Sequence, residues 1–591
     1  MKISLNWLQD YISLKDSPEA IGKLLTDTGL EVEGLETFET VKGGLEGVVI
    51  GEVLTCEKHP NADKLKVTTV DIGKDIISPI VCGAPNVDKG QKVVVATVNS
   101  TLYPTSGEPF KIKKAKIRGE VSEGMICAED EIGLGNDHDG ILVLDTDLPN
   151  GAPAATYFNL ENDHVFEIGL SPYRADAAGH IGTARDLKAV LNQELKWPSV
   201  DGFKIDILNL SVKVCVRNSE ACPRYSGLSL SNITVKESPD WLKNRLRAIG
   251  LSPINNVVDI TNYVLHETGQ PMHAFDAAKI AGKEMIVQTA HEGDKFITLD
   301  EKEKSLKAED LMICDGNGKG MCIAGVFGGI DSGVTESTKA IFLESAYFSP
   351  AYVRKTAQVH QLKTDASFRF ERGTDPELTI YALKRAALLL KELANAEISS
   401  EIIDVYPHPI KPFEVVMSYE HITRLIGIEI DKERIHSILE SLDIQVQNKN
   451  GEGFLAVVPA YRVDVQREAD VIEEILRIYG FNNIKLPETL GASYLAKFPK
   501  IDRDKLQGKV TDTLVAQGFY EVMTNSLTKP TYSVDDPSIK ESEDVVILNK
   551  LSEDLGVLRQ TLLYSLAEEA AHNINRKQSD LKIFEFGITY K

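Results

Sequence analysis

Hydrophobic and polar residues follow different periods in successive parts of the chain, and each period predicts a type of element. Near the N-terminus, Ile21, Leu24 and Leu25 recur at helical spacing behind Ser17, which predicts a short amphipathic helix with a capped first turn. Between residues 40 and 150 the pattern changes to short β-rich runs separated by Gly, Pro and Asn turns. Such a series of short strands is typical of a small β-barrel.

Helical periodicity returns between residues 182 and 195, beyond the predicted barrel. Helical segments therefore lie on both sides of the β-rich one. We predict that the barrel, residues 40–150, is inserted into a helical N-terminal unit made of residues 1–39 and 151–200.

Strands and helices mix from residue 206 to 400, which predicts an α+β domain. We expect this domain to end in a long helix with Asp375 as its N-cap and Pro376 at its first position. Three prolines between residues 407 and 412 exclude a helix or a sheet interior and mark a boundary.

Residues 405–482 then show a helix, a hairpin and a second helix, an order that resembles winged-helix DNA-binding proteins. A further mixed segment of helices and strands occupies residues 490–591. The pattern as a whole predicts a multidomain α+β protein.

Composition narrows the class of protein. No apolar run approaches the ~20 residues of a membrane span, and polar residues interrupt the N-terminal apolar stretch. We therefore expect a cytoplasmic protein without a signal peptide or membrane contact. The seven cysteines include no CxxC pair, which argues against a disulfide framework or a zinc ribbon.

The formal net charge of −23 argues against binding of nucleic acid through a generally basic surface, so any such contact must be local. One candidate is the run KIKKAKIR, in which cations loosely alternate with apolar residues as on a strand with one exposed face. Its basic residues are Lys111, Lys113, Lys114, Lys116 and Arg118. The same pattern also fits a solvated strand edge guarded by lysines.

Residues 355–375, KTAQVHQLKTDASFRFERGTD, are dense in functional groups and fit no amphipathic period. A polar pocket would explain them. A solvated loop in which Arg369 pairs with Glu371 and Arg372 with Asp375 would explain them equally well.

Four carboxylates form a second polar group: Asp464, Asp470, Glu473 and Glu474. The last three lie on one face of a helix predicted from about residue 468 to 479. Convergent carboxylates would suit Mg²⁺, which prefers oxygen ligands. The alternative is that acids in a first helical turn complement the helix dipole.

Seven segments occur in the same order as in one enzyme family. They are HPNADKL (59–65), VCGAPNV (81–87), SEGMICAEDEIGL (122–134), VVDITNYVLHETGQPMHAFD (257–276), GVFGG (325–329), TDASFRFERG (364–373) and the acidic helix. With them, the chain resembles the beta subunit of bacterial phenylalanyl-tRNA synthetase from end to end. Departures from the family pattern are Tyr173, Phe327 and Tyr564, where Asn, Met and Pro are usual.

The resemblance implies an OB-like tRNA-binding barrel at 40–150, an editing domain at 206–400, a winged-helix-like module at 405–482 and a partial catalytic-like domain at 490–591. It also implies an α₂β₂ heterotetramer in which the alpha subunit binds ATP and charges tRNA(Phe). Family members continue well beyond Lys591, so we expect this chain to be C-terminally truncated.

By the same resemblance, the editing domain hydrolyses mischarged tyrosyl-tRNA(Phe). Glu344 resembles the residue that receives the tyrosine hydroxyl, and Ala366 the small residue that leaves room for the ring. The residues that resemble the polar groups around the ester and the attacking water are Thr261, Asn262, His273 and Thr364. His273 as general base and positioning of the water by the substrate's ribose hydroxyl remain equal alternatives.

The resemblance further implies that Asp464, Asp470, Glu473 and Glu474 bind a magnesium ion at or near the interface with the alpha subunit. Two other functions stay open. The chain could be a free-standing hydrolase that clears mischarged tRNA, or a non-catalytic scaffold that binds tRNA.

Overall fold

The computed structural model describes residues 1–135, 137–158, 160, 162–485 and 501–591. The chain divides into two compact units, Met1–Lys485 and Leu486–Lys591. Each is described separately below.

The first part of the larger unit combines short helices with several antiparallel sheets. Its elements are β1 Lys2–Ser4, α1 Leu5–Leu8, α2 Pro18–Asp27, β2 Glu31–Glu39, β3 Val48–Lys58, β4 Lys66–Asp71, β5 Ile77–Cys82, β6 Lys92–Thr97, β7 Thr101–Leu102, β8 Phe110–Lys111, β9 Ala115–Ile117, β10 Glu120–Ser122, β11 Gly124–Ile126, β12 Val143–Leu144, α3 Ala154–Tyr157, β13 Asn162–Gly169 and α4 His180–Leu191. The predicted first helix is confirmed as α2, because the Ser17 hydroxyl accepts a hydrogen bond from the Ala20 amide.

Strands β1, β13 and β2 form one antiparallel sheet, so chain segments before and after residues 40–150 meet directly. The expectation of a purely helical N-terminal unit is wrong. The sequence concealed β2 because six of its nine residues are exposed and four are glutamates, which leaves little apolar alternation.

The intervening strands form a sheet in the order β11-β6-β3-β4-β5, with β12 paired to β6. Two hydrogen bonds join the β5 edge of this sheet to the chain just before β11, at the other edge. The Glu123 amide donates to Pro79 O at 2.8 Å, and the Val81 amide donates to the Ser122 hydroxyl at 3.1 Å. The sheet is therefore nearly closed, as the β-rich pattern predicts.

The middle of the larger unit contains two five-stranded sheets and a two-stranded one. Its elements are β14 Lys213–Val216, β15 Arg224–Ser231, α5 Asp240–Ala248, α6 Asn256–Thr268, β16 Met272–Asp276, β17 Glu284–Thr289, β18 Lys295–Ile297, β19 Glu303–Ser305, β20 Leu311–Asp315, β21 Gly320–Ile323, β22 Phe327–Gly328, β23 Ile341–Tyr347, α7 Pro350–His360, α8 Asp365–Phe370, α9 Thr379–Ala394, β24 Glu397–Ile398 and β25 Ile403–Val405. One sheet has the order β16-β23-β15-β24 and the other β14-β17-β20-β21-β22.

Alternate residues of β23 enter two different hydrophobic cores. Ile341 and Leu343 join the core that also contains Trp7 of the N-terminal sheet region, while Phe342 and Ala346 join a second core. Because strand side chains alternate between faces, Glu344 lies on the same face as Phe342 and Ala346. A carboxylate is therefore placed on an otherwise apolar sheet face.

The long helix of this region begins later than predicted. Helix α9 starts at Thr379 without a side-chain cap, whereas the Asp375 carboxylate accepts the Glu377 amide at 2.9 Å in the preceding turn. The prediction of Asp375 as N-cap and Pro376 as first residue is therefore wrong. A proline can begin a tight turn as readily as a helix, which is why the pattern misled.

The last part of the larger unit contains the predicted hairpin and helices. Its elements are β26 Phe413–Ser418, α10 Tyr419–Ile426, α11 Lys432–Ser441, β27 Gln445–Gln447, β28 Gly453–Val458 and α12 Glu468–Tyr479. The sheet order is β26-β28-β27, and the apolar residues Ile435, Ile438 and Leu439 of α11 are buried as predicted.

The smaller unit is a mixture of short strands and helices. Its elements are α13 Arg503–Ala516, β29 Tyr520–Glu521, β30 Leu527–Thr528, α14 Thr531–Asp535, β31 Val545–Val546, β32 Val557–Leu558, α15 Leu563–Ile574 and β33 Ile583–Phe584. Strands β29 and β33 are parallel, while β30, β32 and β31 form an antiparallel sheet. Helix α13 buries none of its side chains within the unit.

Candidate functional site

Two of the predicted site residues face each other across neighbouring strands. His273 of β16 is paired with Glu344 of β23 in the antiparallel register, which places their side chains on the same face of the sheet. The His273 side chain is partly exposed, yet its Nε2 atom is enclosed and has no hydrogen-bond partner among the described residues. Burial lowers the pKa of His273 to about 4, so the imidazole is neutral at neutral pH.

Glu344 is buried beside a tyrosine that the sequence analysis did not single out. The Tyr225 hydroxyl donates to Glu344 Oε2 at 2.7 Å. Burial raises the pKa of Glu344 to about 8, and the hydrogen bond from Tyr225 acts in the opposite direction. Within the described ranges nothing bonds to the other oxygen, Oε1, and that atom is not fully enclosed.

Strand β22 approaches the same place from the second sheet. A Cβ atom added at Gly328 would lie 3.0 Å from His273 Cε1 and 2.9 Å from Leu299 Cδ1, so only glycine fits there without a shift. Just before β22, the carbonyl of Val326 accepts a hydrogen bond from the Thr364 hydroxyl at 2.9 Å. Thr364 thereby ties the start of α8 to the strand that touches His273.

Helix α8 carries both remaining residues of the predicted segment. Thr364 is its N-cap and forms a capping box with Ser367, and Ala366 in the first turn packs against the same core as Phe342. The small alanine side chain is partly buried rather than solvated.

Thr261 and Asn262 lie on α6, which packs against β16. The Thr261 hydroxyl donates to the Val258 carbonyl within the helix at 2.7 Å. Among the hydrogen bonds of the described chain, none joins either residue to His273 or Glu344. The structure therefore brings α6 to the site but leaves the roles of these two residues as predictions.

The ion pairs expected within residues 355–375 are only partly the observed ones. Arg369 is buried and donates to Ala178 O at 2.9 Å, His266 Nδ1 at 3.1 Å and Asp365 Oδ1 at 3.3 Å. The predicted pairing of Arg369 with Glu371 is wrong, because residues two apart on a helix do not face each other. Arg372 pairs with Glu371 at 2.6 Å instead of Asp375.

The four acidic residues do not form one cluster. Glu474 is buried between Arg462 at 2.6 Å and Arg477 at 2.7 Å, which hold its pKa well below the usual range. Glu473, one residue away, is exposed. Arginines also bind the other two: Arg462 contacts Asp464 at 3.1 Å and Arg467 contacts Asp470 at 2.8 Å.

Across the part of the chain that the structure describes, there is no group of three or more His, Cys, Asp or Glu side chains that could hold a metal ion. The predicted convergence of the four carboxylates is therefore wrong for the chain by itself. The physical reason is that arginines donate hydrogen bonds to the carboxylate oxygens. The spacing of the acidic residues gave no sign of these arginine partners. As arranged here, these residues do not fit a magnesium ion.

All five cations of the predicted basic run are exposed, and Ile112 beneath them is buried. The run forms two short strands, β8 and β9, instead of a single strand. Lys114 is paired with Glu123, whereas Lys111 and Lys113 line a cavity of about 500 Å³ together with Gly83 and Ala84.

A larger cavity of about 740 Å³ lies against the second sheet, where His291, Phe296, Met321 and Ser332 contribute to its walls. None of the six predicted editing residues lines it. All seven cysteines carry free thiols. Among the described helices, none is long and apolar enough to cross a membrane.

Four stretches of the chain match known domain families. Residues 48–153 match a putative tRNA binding domain, 221–395 a B3/4 domain, 415–481 a tRNA synthetase B5 domain and 486–591 the CLM domain of the phenylalanyl tRNA synthetase beta chain. Together with the mixed α and β architecture, these domains define a multidomain component of an aminoacyl-tRNA synthetase.

The similarity to two curated relatives extends over the whole chain. It is 54% identical to the phenylalanine–tRNA ligase beta subunit of Bacteroides fragilis, with 100% of this chain and 72% of that protein covered. It is 40% identical to the protein of the same name from Geobacter metallireducens, with 100% and 73% covered. The chain therefore belongs to the family of phenylalanine–tRNA ligase beta subunits.

Among solved structures, the chain is similar to an N-terminal fragment of the phenylalanyl-tRNA synthetase beta subunit from Pyrococcus horikoshii. The identity is 18%, over 54% of this chain and 87% of that one. The TM-score of 0.29 is too low to support a conclusion about geometry.

Proposed function

We propose that the chain is the tRNA-binding and editing subunit of a class II phenylalanine–tRNA ligase. It supports ATP-dependent charging of tRNA(Phe) by an alpha subunit, with which it forms an α₂β₂ heterotetramer in the cytoplasm. The OB-like barrel binds tRNA, and the domain at residues 206–400 hydrolyses tyrosyl-tRNA(Phe). Its B3/4 family match and the His273–Glu344 pair support the editing assignment.

Editing is needed because tyrosine differs from phenylalanine by one hydroxyl. An apolar pocket rejects an added hydroxyl by only about 10²-fold, whereas a site that hydrogen-bonds the hydroxyl rejects the analogue lacking it by roughly 10⁴-fold or more. A second pocket with a buried acceptor would therefore select the tyrosyl ester for hydrolysis.

Glu344 is that acceptor in our proposal, and its Oε1 atom is the single observation that carries it. The oxygen is unpaired, while Glu344 as a residue is buried and its neighbours on the same sheet face, Phe342 and Ala346, belong to an apolar core. A bound phenylalanyl ester would cover Oε1 without pairing it, which costs roughly 1–3 kcal/mol for a buried polar group. Ala366 would leave room for the aromatic ring.

The hydrolytic step requires a water molecule at the ester carbonyl. A neutral His273 can accept the water proton while the hydroxide attacks the carbonyl carbon, and the imidazolium then returns this proton to the ribose oxygen as the ester C–O bond breaks. Tyrosine and uncharged tRNA are the products. Thr261, Asn262 and Thr364 would hold the ester end, and the substrate's own ribose hydroxyl remains the alternative that positions the water.

Magnesium remains a prediction for the complete enzyme. In the chain itself arginines form ion pairs with Asp464, Asp470 and Glu474. A magnesium site there would therefore require the alpha subunit to rearrange these pairs. The tRNA-binding role of Lys111, Lys113, Lys114, Lys116 and Arg118 likewise rests on their exposure on the barrel.

The test is hydrolysis of tyrosyl-tRNA(Phe) and phenylalanyl-tRNA(Phe) by the chain, with and without the alpha subunit. We expect hydrolysis of the tyrosyl ester, loss of activity in Ala366→Trp and loss of selectivity in Glu344→Ala. Failure to hydrolyse either ester while tRNA binding is intact would leave the scaffold function. Full activity without the alpha subunit and no complex with it would indicate the free-standing hydrolase.

A further inference from the structure

Tyr225 contacts the proposed specificity residue from a neighbouring strand. In the register of β15 with β23, Tyr225 is opposite Ala346 and Gly227 is opposite Glu344. Glycine leaves no side chain directly opposite the carboxylate, and a Cβ atom at Gly227 would lie 2.1 Å from Phe342 Cζ. The tyrosine therefore reaches Glu344 diagonally across the strand pair, where its hydroxyl donates to Oε2 at 2.7 Å.

We propose that Tyr225 is a positioning residue for Glu344: it holds Oε2, so that Oε1 is presented to the phenol of the tyrosyl ester. The inference rests on the proposed function and deepens it. The substrate phenol and the Tyr225 phenol would then donate to the two oxygens of one carboxylate, which makes the protein's own tyrosine the structural counterpart of the substrate.

The surroundings of Glu344 make this hydrogen bond important. The titratable groups that face it are Tyr225 on β15, His273 on β16, and the thiols of Cys222 and Cys322, whose pKa values burial and the Glu344 charge raise. In the described structure no lysine or arginine pairs with Glu344. The hydrogen bond from Tyr225 is therefore the interaction that favours the ionised form of Glu344, since no cation does so.

Removal of the Tyr225 hydroxyl has two expected consequences. The carboxyl group is free to rotate, so Oε1 is no longer held toward the substrate. The pKa of Glu344, which burial already raises to about 8, rises further because an opposing hydrogen bond is lost. Both changes weaken acceptance of a substrate phenol at neutral pH.

The experiment measures kcat and KM for hydrolysis of tyrosyl- and phenylalanyl-tRNA(Phe) by Tyr225→Phe in complex with the alpha subunit. We expect the tyrosyl-over-phenylalanyl preference to fall about 10-fold, the equivalent of one hydrogen bond to a charged group, mainly through a higher KM for the tyrosyl ester. The pH at which the preference is half-maximal should move upward.

Tyr11→Phe is the matched control. The Tyr11 hydroxyl donates to buried Glu267 at 2.8 Å, so this variant also loses a buried tyrosine–glutamate hydrogen bond, away from Glu344 and at a carboxylate that Arg385 pairs with as well. It should keep both the preference and its pH midpoint. In a Glu344→Ala background Tyr225→Phe should cause no further loss, because Tyr225 acts through Glu344.

An unchanged preference and pH midpoint in Tyr225→Phe, with the preference lost in Glu344→Ala, would overturn the inference alone. An unchanged preference in Glu344→Ala would overturn the proposed role of Glu344 as well. If Tyr225→Phe does not fold, the wild-type pH profile decides. The inference requires the preference to rise with pH as Glu344 ionises, and a flat or falling preference between about pH 6 and pH 8.5, a range that includes the pKa of about 8, would overturn it.

Discussion

His273 and Glu344 occupy directly opposed positions on β16 and β23 and extend from the same face of the sheet. Burial favours the neutral form of both groups, so it shifts their pKa values in opposite directions: the pKa of His273 is lowered and that of Glu344 is raised. A slip of one residue in the register would put the two side chains on opposite faces. The backbone pairing of two strands therefore determines whether the proposed site exists.

The pH dependence of hydrolysis tests the state of His273. Because its pKa is lowered to about 4, the neutral imidazole persists well below pH 6.5, so the rate limit set by this group should appear near pH 4. His273→Ala should reduce the hydrolysis rate by roughly 10²-fold or more if the imidazole takes the water proton. A variant rate equal to the wild-type rate would favour the ribose hydroxyl instead.

Gly328 should tolerate no larger side chain. Gly328→Ala would press on His273 and Leu299, and we expect a loss of about 1–3 kcal/mol in stability together with slower hydrolysis. Gly333→Ala is the control, because its added Cβ would lie 3.9 Å from Leu299 Cδ2, an ordinary contact distance. Thermal unfolding and hydrolysis assays on both variants give the comparison, and equal behaviour would contradict the predicted close approach.

Adjacent glutamates on α12 should respond very differently to substitution. Glu474→Ala would leave Arg462 and Arg477 buried without their shared carboxylate, with an expected cost of about 3–5 kcal/mol. Glu473→Ala removes an exposed side chain and should change the stability by less than about 0.5 kcal/mol. Urea unfolding of the chain measures both. Similar small effects would show that the arginine pairs do not stabilise the protein.

Two carboxylate variants, Glu473→Ala and Asp470→Ala, test the magnesium prediction in the complex with the alpha subunit. If the carboxylates bind Mg²⁺ there, calorimetry should detect weaker binding in Glu473→Ala, even though its stability is unchanged. Unchanged Mg²⁺ binding in both Glu473→Ala and Asp470→Ala would show that these acids do not bind the ion. They would then act only through the helix dipole and through the Arg467–Asp470 pair.

Salt dependence distinguishes the lysines of the barrel. Lys113→Ala and Lys116→Ala should each reduce the slope of log K for tRNA against log salt by about 0.7–0.9. Lys114→Ala should change it less, because Glu123 already pairs with that lysine. Equal slopes for all three variants and the wild type would show that tRNA does not contact this face of the barrel.

Local patterns predicted much of the fold. The capped start of α2, the β-rich stretch and the buried face of α11 follow from residue spacing alone. Strand β2 escaped detection because its exposed, charged residues carry no apolar period. The start of α9 was misplaced because Asp375 and Pro376 suit a turn as well as a helix.

The site was predictable only through resemblance, since His273, Glu344 and Thr364 lie far apart in sequence. Tyr225 gave no local signal, because an isolated tyrosine in a buried strand reads as core packing. The arginine partners of Glu474 were equally hidden. One of them, Arg477, is three residues along the same helix, but only the fold shows that Arg462 reaches the same carboxylate.

The insertion of the barrel between β2 and β13 sets an order for folding during synthesis. The amino group of Met1 bonds to Ile168 O, 167 residues along the chain, and β1 has its partner in β13. At ribosomal rates of about 5–20 residues per second, the first strand must wait roughly 10–30 s for this partner to be made. The barrel strands pair within a shorter stretch and can fold in that interval. Strand β1 is therefore made before the barrel strands but finds its partner after them, because it pairs with β13.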